Sequence, residues 1–302
     1  MTLRLDLKKI KGRSFNGLEE PVADAADQHA YWEDFNARFF RSNGQAYDSA
    51  RQSNVANWLS APDRASFAAM AGALLEELQQ SDTLEDIDLV LLAHWMPDLH
   101  LGTSVTNFAL HRLGLGEGFG FAISDRGLSA PLFAMECAAR YLRRPGGRAL
   151  VMTMDQKHLL YRAPLVEALT PENSASVMVL ERGTQTGLQY CGYRRRIGVE
   201  SGDLPQVVDA ACRDLGLVPE DTVLIADETL AGLGEGFAQW CPSQTRQMCA
   251  APLRSLMQLD GSRACLMVTR HNCEVCFVGL SPEAPAGASL FERPDHPEKR
   301  GV

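Results

Sequence analysis

Short, unbroken apolar runs alternate along this chain with stretches in which apolar positions return every third or fourth residue. The first pattern is that of strands buried on both faces, and the second that of helices laid against them. Arg64 to Gln80 reads as a helix, Ser81 to Asp86 as an acidic loop, and Ile87-Asp-Leu-Val-Leu-Leu-Ala93 as a strand. The passage returns later as helix Leu204 to Leu215, loop Gly216 to Asp221 and strand Thr222 to Ala226. Gly147-Arg-Ala-Leu-Val-Met-Thr-Met154 has a counterpart in Gly261 to Thr269, and each precedes an Asn-led strand, Asn173 to Leu180 and Asn272 to Val278. Helix, strand, helix, strand, strand thus recurs in one order, which predicts βαβ units, a mostly parallel sheet covered on both faces, and two such sheets. The boundary is expected near residue 183, giving halves 1–183 and 184–302, with Glu181 to Gly202 as a link rich in Gly, Arg and Thr.

At the N-terminus, Met1 to Ile10 alternates apolar and charged positions and reads as a first strand. It lacks the apolar core and cleavage site of a secretory signal, so a cytoplasmic protein is expected. Tyr31, Trp32, Phe35, Phe39 and Phe40 recur at helical spacing, on a helix that either faces the core or lies over a pocket. Pro282 to Val302, with many Pro, Gly and charged residues, is expected to pack loosely.

Composition narrows the function. With 302 residues, 45% hydrophobic and 22% charged, the chain can bury a large core. Its 29 basic residues against 38 acidic ones give a net charge of −9, which argues against binding nucleic acid or anionic membrane surfaces. No apolar run approaches the roughly 20 residues of a membrane span.

The 8 cysteines are too sparse for a disulfide framework and sit mostly among apolar neighbours. Cys273-Glu-Val-Cys276 lies in a strand-like run, where residues three apart point to opposite faces, so a shared metal is not expected. His29, His100, His111, His158 and His296 belong to no zinc-binding spacing. Gly114 to Gly118 and Gly232 to Gly236 lack a phosphate-loop lysine and carry Glu117 and Glu235, so they read as loop glycines. Tyr193-Arg-Arg-Arg196 reads as a solvated link or as a contact for an acidic carrier. No metal or cofactor is implied.

One segment carries candidate chemistry. Phe119 to Leu142 reads as an apolar strand, a glycine-containing turn and a long amphipathic helix. Such a turn aims backbone N–H groups and the helix dipole at one point, where acyl-transfer enzymes place a nucleophile. Ser129 is the available hydroxyl. The same residue, followed by Ala130 and Pro131, also fits a helix N-cap.

The segments 87–98, 119–142, 147–152 and 173–181 resemble, in motif, order and spacing, the type III β-ketoacyl-acyl-carrier-protein synthases of the thiolase superfamily. The likeness runs from about residue 85 to 280. It implies an α/β fold, the thiolase-like duplicated βαβαβαββ, five-layered with two central mixed sheets and normally dimeric. Its departures bear on chemistry. The register puts Leu128 where the family's acyl-accepting cysteine stands, with Ser129 and Ala130 following. Asp227 replaces the family histidine, and Gln247 to Pro252 offers no match to the family asparagine motif. Pro171 to Ser176 replaces a glycine-rich loop, and Thr269-Arg-His-Asn-Cys273 replaces the glycine turn that builds the oxyanion hole. His271 and Asn272 would then crowd the old pocket, either forming a relocated polar site with Asp227 or simply filling it. His94, ending its strand, would line the pocket mouth or the dimer face.

Three functions follow. In the first, the chain is a non-condensing partner subunit of a complete ketosynthase III-like paralogue, its pocket filled by Leu128. The second is an acyltransferase with Ser129 as nucleophile, His271 as base and Asp227 as orienter, acting on an acyl-CoA or acyl-carrier-protein thioester; Leu128, Asn272 and His94 would contact substrate. A third is an acyl-binding or carrier-protein-binding module without catalysis. A homodimer or a heterodimer with the paralogue is expected.

Overall fold

The computed structural model describes residues 2–282. The first half holds β1 (Leu3–Leu5), β2 (Lys11–Ser14), α1 (Ala25–Ser42), α2 (Ser49–Gln52), α3 (Val55–Ser60) and α4 (Phe67–Gln79). It continues with β3 (Leu89–Ala93), α5 (Val105–Arg112), β4 (Phe119–Ile123), α6 (Ala130–Tyr141), β5 (Arg148–Asp155), α7 (Pro164–Leu169) and β6 (Ser174–Arg182). The second half holds β7 (Leu188–Ile197), α8 (Leu204–Leu215), β8 (Thr222–Ala226), β9 (Gln239–Pro242), α9 (Ala251–Leu256), β10 (Ala264–His271) and β11 (Glu274–Ser281).

Strand order is β4-β3-β5-β6-β1 in the first half and, read from the other edge, β9-β8-β10-β11-β7 in the second. The two orders correspond strand for strand, as the repeated sequence pattern predicts. In each half the first three strands run parallel, and the fourth and fifth are antiparallel to their neighbours. The half-sheets join where β1 pairs with β7, Leu5 opposite Leu188, so the ladder is continuous through the seam.

Side-chain alternation assigns the layers. Leu89, Leu91 and Ala93 of β3 share a core with Val223 and Ile225 of β8 and with α6 and α9, which therefore lie between the half-sheets. Val90 and Leu92 face the opposite way, onto α4 and α5, and Leu224 and Ala226 face α8. Helix, sheet, helix, sheet, helix is the resulting stack of five layers. Leu132 and Met135 of α6 are fully enclosed, each contributing roughly 1.5–3 kcal/mol of apolar burial.

Local rules explain the helix ends. Ser66 caps α4 by accepting from the Ala69 N–H at 3.2 Å, so the helix starts three residues later than the apolar spacing suggests. Gly216, at φ +68°, ends α8 in the left-handed conformation that glycine tolerates.

Several sequence expectations change. The N-terminal strand is Leu3–Leu5 only, because Asp6 accepts from the Lys8 N–H and turns the chain into a 3₁₀ segment. The expected link Glu181 to Gly202 is mostly strand, leaving 183–187 between β6 and β7. The arginine run belongs to β7 and finds carboxylates: Arg194 and Arg196 pair with Asp214, and Arg195 with Glu274. The acidic loop is likewise tied down, since buried Arg148 reaches Asp82, Asp86 and the Thr83 carbonyl. In α1, Trp32 and Phe35 pack against Trp58 and Leu160 and buried Phe40 stacks edge-on to Tyr161, while Tyr31 is 65% exposed and Phe39 42% exposed. Most of the tail from Pro282 onward, His296 included, lies outside the described residues. No helix among the described residues is long and apolar enough to cross a membrane.

Candidate active site

The chain leaves β4, turns through residues 124–126, and enters α6 by the 3₁₀ turn Gly127–Ser129, with Pro131 in the first helical turn. Gly127 is at φ +52°, and a Cβ there would lie 2.7 Å from the His271 ring, so both the backbone angle and the space require glycine. Leu128 packs into a cluster with Met96, Leu159 and Met248, flanked by Trp95 and Tyr161. The cavity left beside it, bordered by Asp227, Met248 and Thr269, measures about 20 Å³. That is room for about one water.

Ser129 occupies the N-cap position of α6, yet its side chain makes no cap hydrogen bond. It is fully buried, and its Oγ accepts from Thr269 Oγ1 at 2.9 Å. Thr269 sits opposite Cys276 in the β10–β11 ladder. The Tyr193 hydroxyl lies 3.0 Å from Cys276 Sγ. Burial pushes the Cys276 thiol and the Tyr193 phenol up, so both stay protonated at neutral pH. Arg195 beside Glu274 holds that carboxyl below its ordinary range.

His271 ends β10, half-buried, with its ring edge-on to Trp95 at 5.0 Å between centroids. Burial lowers its pKa, so the imidazole is neutral at pH 7. Asn272, at φ +55°, is exposed in the turn to β11. Asp227 caps the 3₁₀ segment Glu228–Gly234, accepting from the Thr229 N–H at 2.8 Å and from its hydroxyl at 2.5 Å. Among the described residues Asp227 makes no hydrogen bond to His271 or Ser129. The structure thus brings His271 against Gly127, and Asp227 against Leu128 across the small cavity, but joins neither polar group to Ser129. His94 Nδ1 donates to the Met96 carbonyl (2.8 Å), and the ring packs on Phe67 and lines a separate cavity of about 480 Å³ with Asp98, Ser104 and Phe121. Cys273 is exposed and Cys276 buried. No group of three or more His, Cys, Asp and Glu side chains among the described residues is placed to hold a metal.

Sequence reasoning misses the group that organises this place. Asp155, fully buried at the end of β5, accepts from the Trp95 N–H (2.8 Å), the Met96 N–H (2.6 Å) and the Cys249 N–H (3.0 Å). Burial raises its pKa, and the three amides oppose that rise. Buried Cys249 donates to the Gly127 carbonyl at 3.5 Å, and burial beside Asp155 pushes its thiol well up, which favours the protonated form. A signal was present: Leu128-Ser-Ala-Pro-Leu132 before α6 repeats as Cys249-Ala-Ala-Pro-Leu253 before α9. The two central helices are entered by corresponding turns, and Asp155 ties one to the other half's loop.

Five layers and half-sheets of matching strand order define the thiolase-like α/β fold. No family model matches the chain, and no curated protein matches it. Solved structures do. The 3-oxoacyl-[acyl-carrier-protein] synthase III of Aquifex aeolicus VF5 superposes with a TM-score of 0.55 at 14% identity, covering 70% of this chain and 82% of its own. The acyltransferase ChlB3 gives 0.58 at 15%, covering 95% and 99%. A single-residue variant of OleA from Xanthomonas campestris, with bound lauric acid and lauroyl-CoA, gives 0.60 at 15%, covering 93% and 99%.

Proposed function

We propose that this chain is a ketosynthase III-like protein of a biosynthetic pathway, polyketide, fatty-acid-derived or other secondary-metabolite, that does not condense and serves as partner subunit to a complete paralogue. The observation that carries this reading is Leu128. A condensing enzyme stores its acyl group as a thioester on a sulfur at the head of the central helix, and an aliphatic side chain cannot form that bond. Beside Leu128 there is little acyl-binding space as well: the cavity there, about 20 Å³, stands against the roughly 300–1,000 Å³ of ordinary ligand pockets. Leu128, Met96, Leu159 and Met248 fill the place where the chain would lie.

A partner has a place to attach. Among the described residues β4 pairs only with β3, leaving its outer edge without a strand partner there, and Phe119, 51% exposed, stacks on exposed Tyr141 beside it. An open edge with exposed aromatics favours strand-to-strand pairing. Docked there, the subunit would support an acyl-CoA- or acyl-carrier-protein-dependent paralogue, as a heterodimer; without the paralogue it would form a homodimer.

The test is co-expression with a paralogue that has an intact Cys-His-Asn set, followed by size-exclusion chromatography and product assay. Copurification, with higher product yield than the paralogue alone, is the expected result. The reading fails if the two proteins elute separately and the yield is unchanged.

The likeness to an acyltransferase keeps a second reading, with Ser129 as nucleophile, His271 as base and Asp227 as orienter. Ser129 Oγ is free of any helix-capping bond, which a nucleophile requires. Its full burial means that Thr269 and Leu128 would have to move before a thioester could reach it. A serine-bound acyl adduct on incubation with lauroyl-CoA, read by intact mass and absent in Ser129→Ala, would favour it over the partner role. A binding module without catalysis would give neither adduct nor copurification.

A further inference from the structure

Arg254 of α9 is half-buried and its Nη1 donates to Ser14 Oγ at 2.6 Å and Ser174 Oγ at 3.3 Å. Among the described residues no carboxylate lies within ion-pair distance of it. Arg148, also removed from water, has Asp82, Asp86 and Glu181, and buried Arg64 is held by the Trp58 carbonyl and ring, with no cavity beside it to fill among the described residues. Burial lowers the Arg254 pKa, and the charge of Glu172 offsets this only in part. A desolvated cation without a counter-ion is costly.

Beside Arg254 opens a cavity of about 520 Å³, walled by β2, the segment 242–247 and α9. Its lining includes Glu172, Gln244, Gln247, Ser255 and Gln258. Gln247 is 8% exposed, and its Nε2 donates to Gln244 Oε1 at 3.1 Å. Glu172 is already engaged, accepting from Ser14 Oγ at 2.8 Å and lying 3.5 Å from Arg246. The charge left over is that of Arg254. The cavity sits where β9 ends at Pro242 and β2 ends at Ser14. The carboxyl ends of strands are where open α/β sheets hold ligands, and the volume falls within the usual range for them.

We propose that this cavity binds a small organic carboxylate, gripped by the guanidinium fork of Arg254 and hydrogen-bonded by the amides of Gln244, Gln247 and Gln258. A planar carboxylate matches the fork in a way that neither chloride nor a lone amide does. The site is separate from the Leu128 cavity and stands whether or not the partner reading holds.

Isothermal titration calorimetry of the full chain at neutral pH and constant ionic strength tests it, with succinate, acetate and inorganic phosphate as probes. Saturable binding of succinate or acetate is expected, weakened about tenfold or more in Arg254→Gln and by a smaller factor in Arg254→Lys, which keeps the charge but loses the fork. Glu172→Gln, removing the one negative group, is expected to tighten binding. Because Arg254 also holds Ser14 and Ser174, the rim variant Gln258→Leu provides a second measure that leaves those bonds intact, with binding weakened severalfold. Absence of saturable carboxylate binding, affinity unchanged in Arg254→Gln and Gln258→Leu, or phosphate binding as tightly as either carboxylate would overturn the proposal.

Discussion

Gly127 and Met248 hold nearly the same left-handed backbone angle, φ +52° and +50°, at corresponding positions before the two central helices. Gly127 adopts it freely. Met248, with ψ −127°, does so against its own Cβ, and it persists because its side chain is buried against Leu128, Met96 and Leu159. The turn entering one central helix thus packs against its counterpart from the other half.

The strain at Met248 reverses a usual order of stability. Met248→Ala loses packing and keeps the forced angle, whereas Met248→Gly loses the same packing and relieves it. The glycine variant is expected to be the more stable by roughly 1 kcal/mol, read from paired denaturant melts.

Gly127→Ala adds a Cβ 2.7 Å from the His271 ring at a backbone angle that alanine resists. A loss of about 2–3 kcal/mol is expected. In Gly127→Ala with His271→Ala the steric part disappears, so the double variant falls short of the sum of the single losses in a mutant cycle.

Leu128→Cys puts sulfur at the head of α6, where we propose that Leu128 replaces a nucleophile, beside a cavity of about 20 Å³. Incubated with lauroyl-CoA, this variant is expected to show no thioester by intact mass, as is the natural chain. Leu128→Ala, by opening the cluster, costs about 1–2 kcal/mol.

Asp227 works as a cap, not as a bonded partner of His271. Asp227→Ala is expected to cost about 1 kcal/mol of stability through the lost Thr229 bond, while the yield of a paralogue complex stays at the natural level.

Acid weakens the fold by a route that can be assigned. Burial lowers the pKa of both His158 and His271 from 6.5. Below that value the unfolded chain takes up protons that the folded chain refuses. Their contribution is complete above about pH 6.5 and is lost as the pH falls through the lowered folded values. His158 Nε2 donates to the Asp63 carboxylate, a bond that opposes the shift without reversing it. Denaturant midpoints taken from about pH 7.5 down to 5 should fall, and His271→Gln should flatten part of the slope.

What the sequence determined by itself was local and repetitive. Apolar runs such as Leu89–Ala93 and Thr222–Ala226 can only be buried strands, the spacing Leu204, Val208, Ala211, Leu215 can only lay one helix face inward, and their recurrence fixed the doubled fold. Tertiary structure decided everything that joins distant segments. Leu128, partly buried, packs against side chains from residues 96, 159 and 248. Ser129, which its neighbours mark as a cap, instead accepts from Thr269, 140 positions away. Asp155 gathers amides from both halves, and Arg254 meets hydroxyls from β2 and β6 beside an open cavity. Periodicity records which face of an element is apolar. Which polar group meets which depends on packing between residues that the chain holds far apart, and no local pattern encodes that distance.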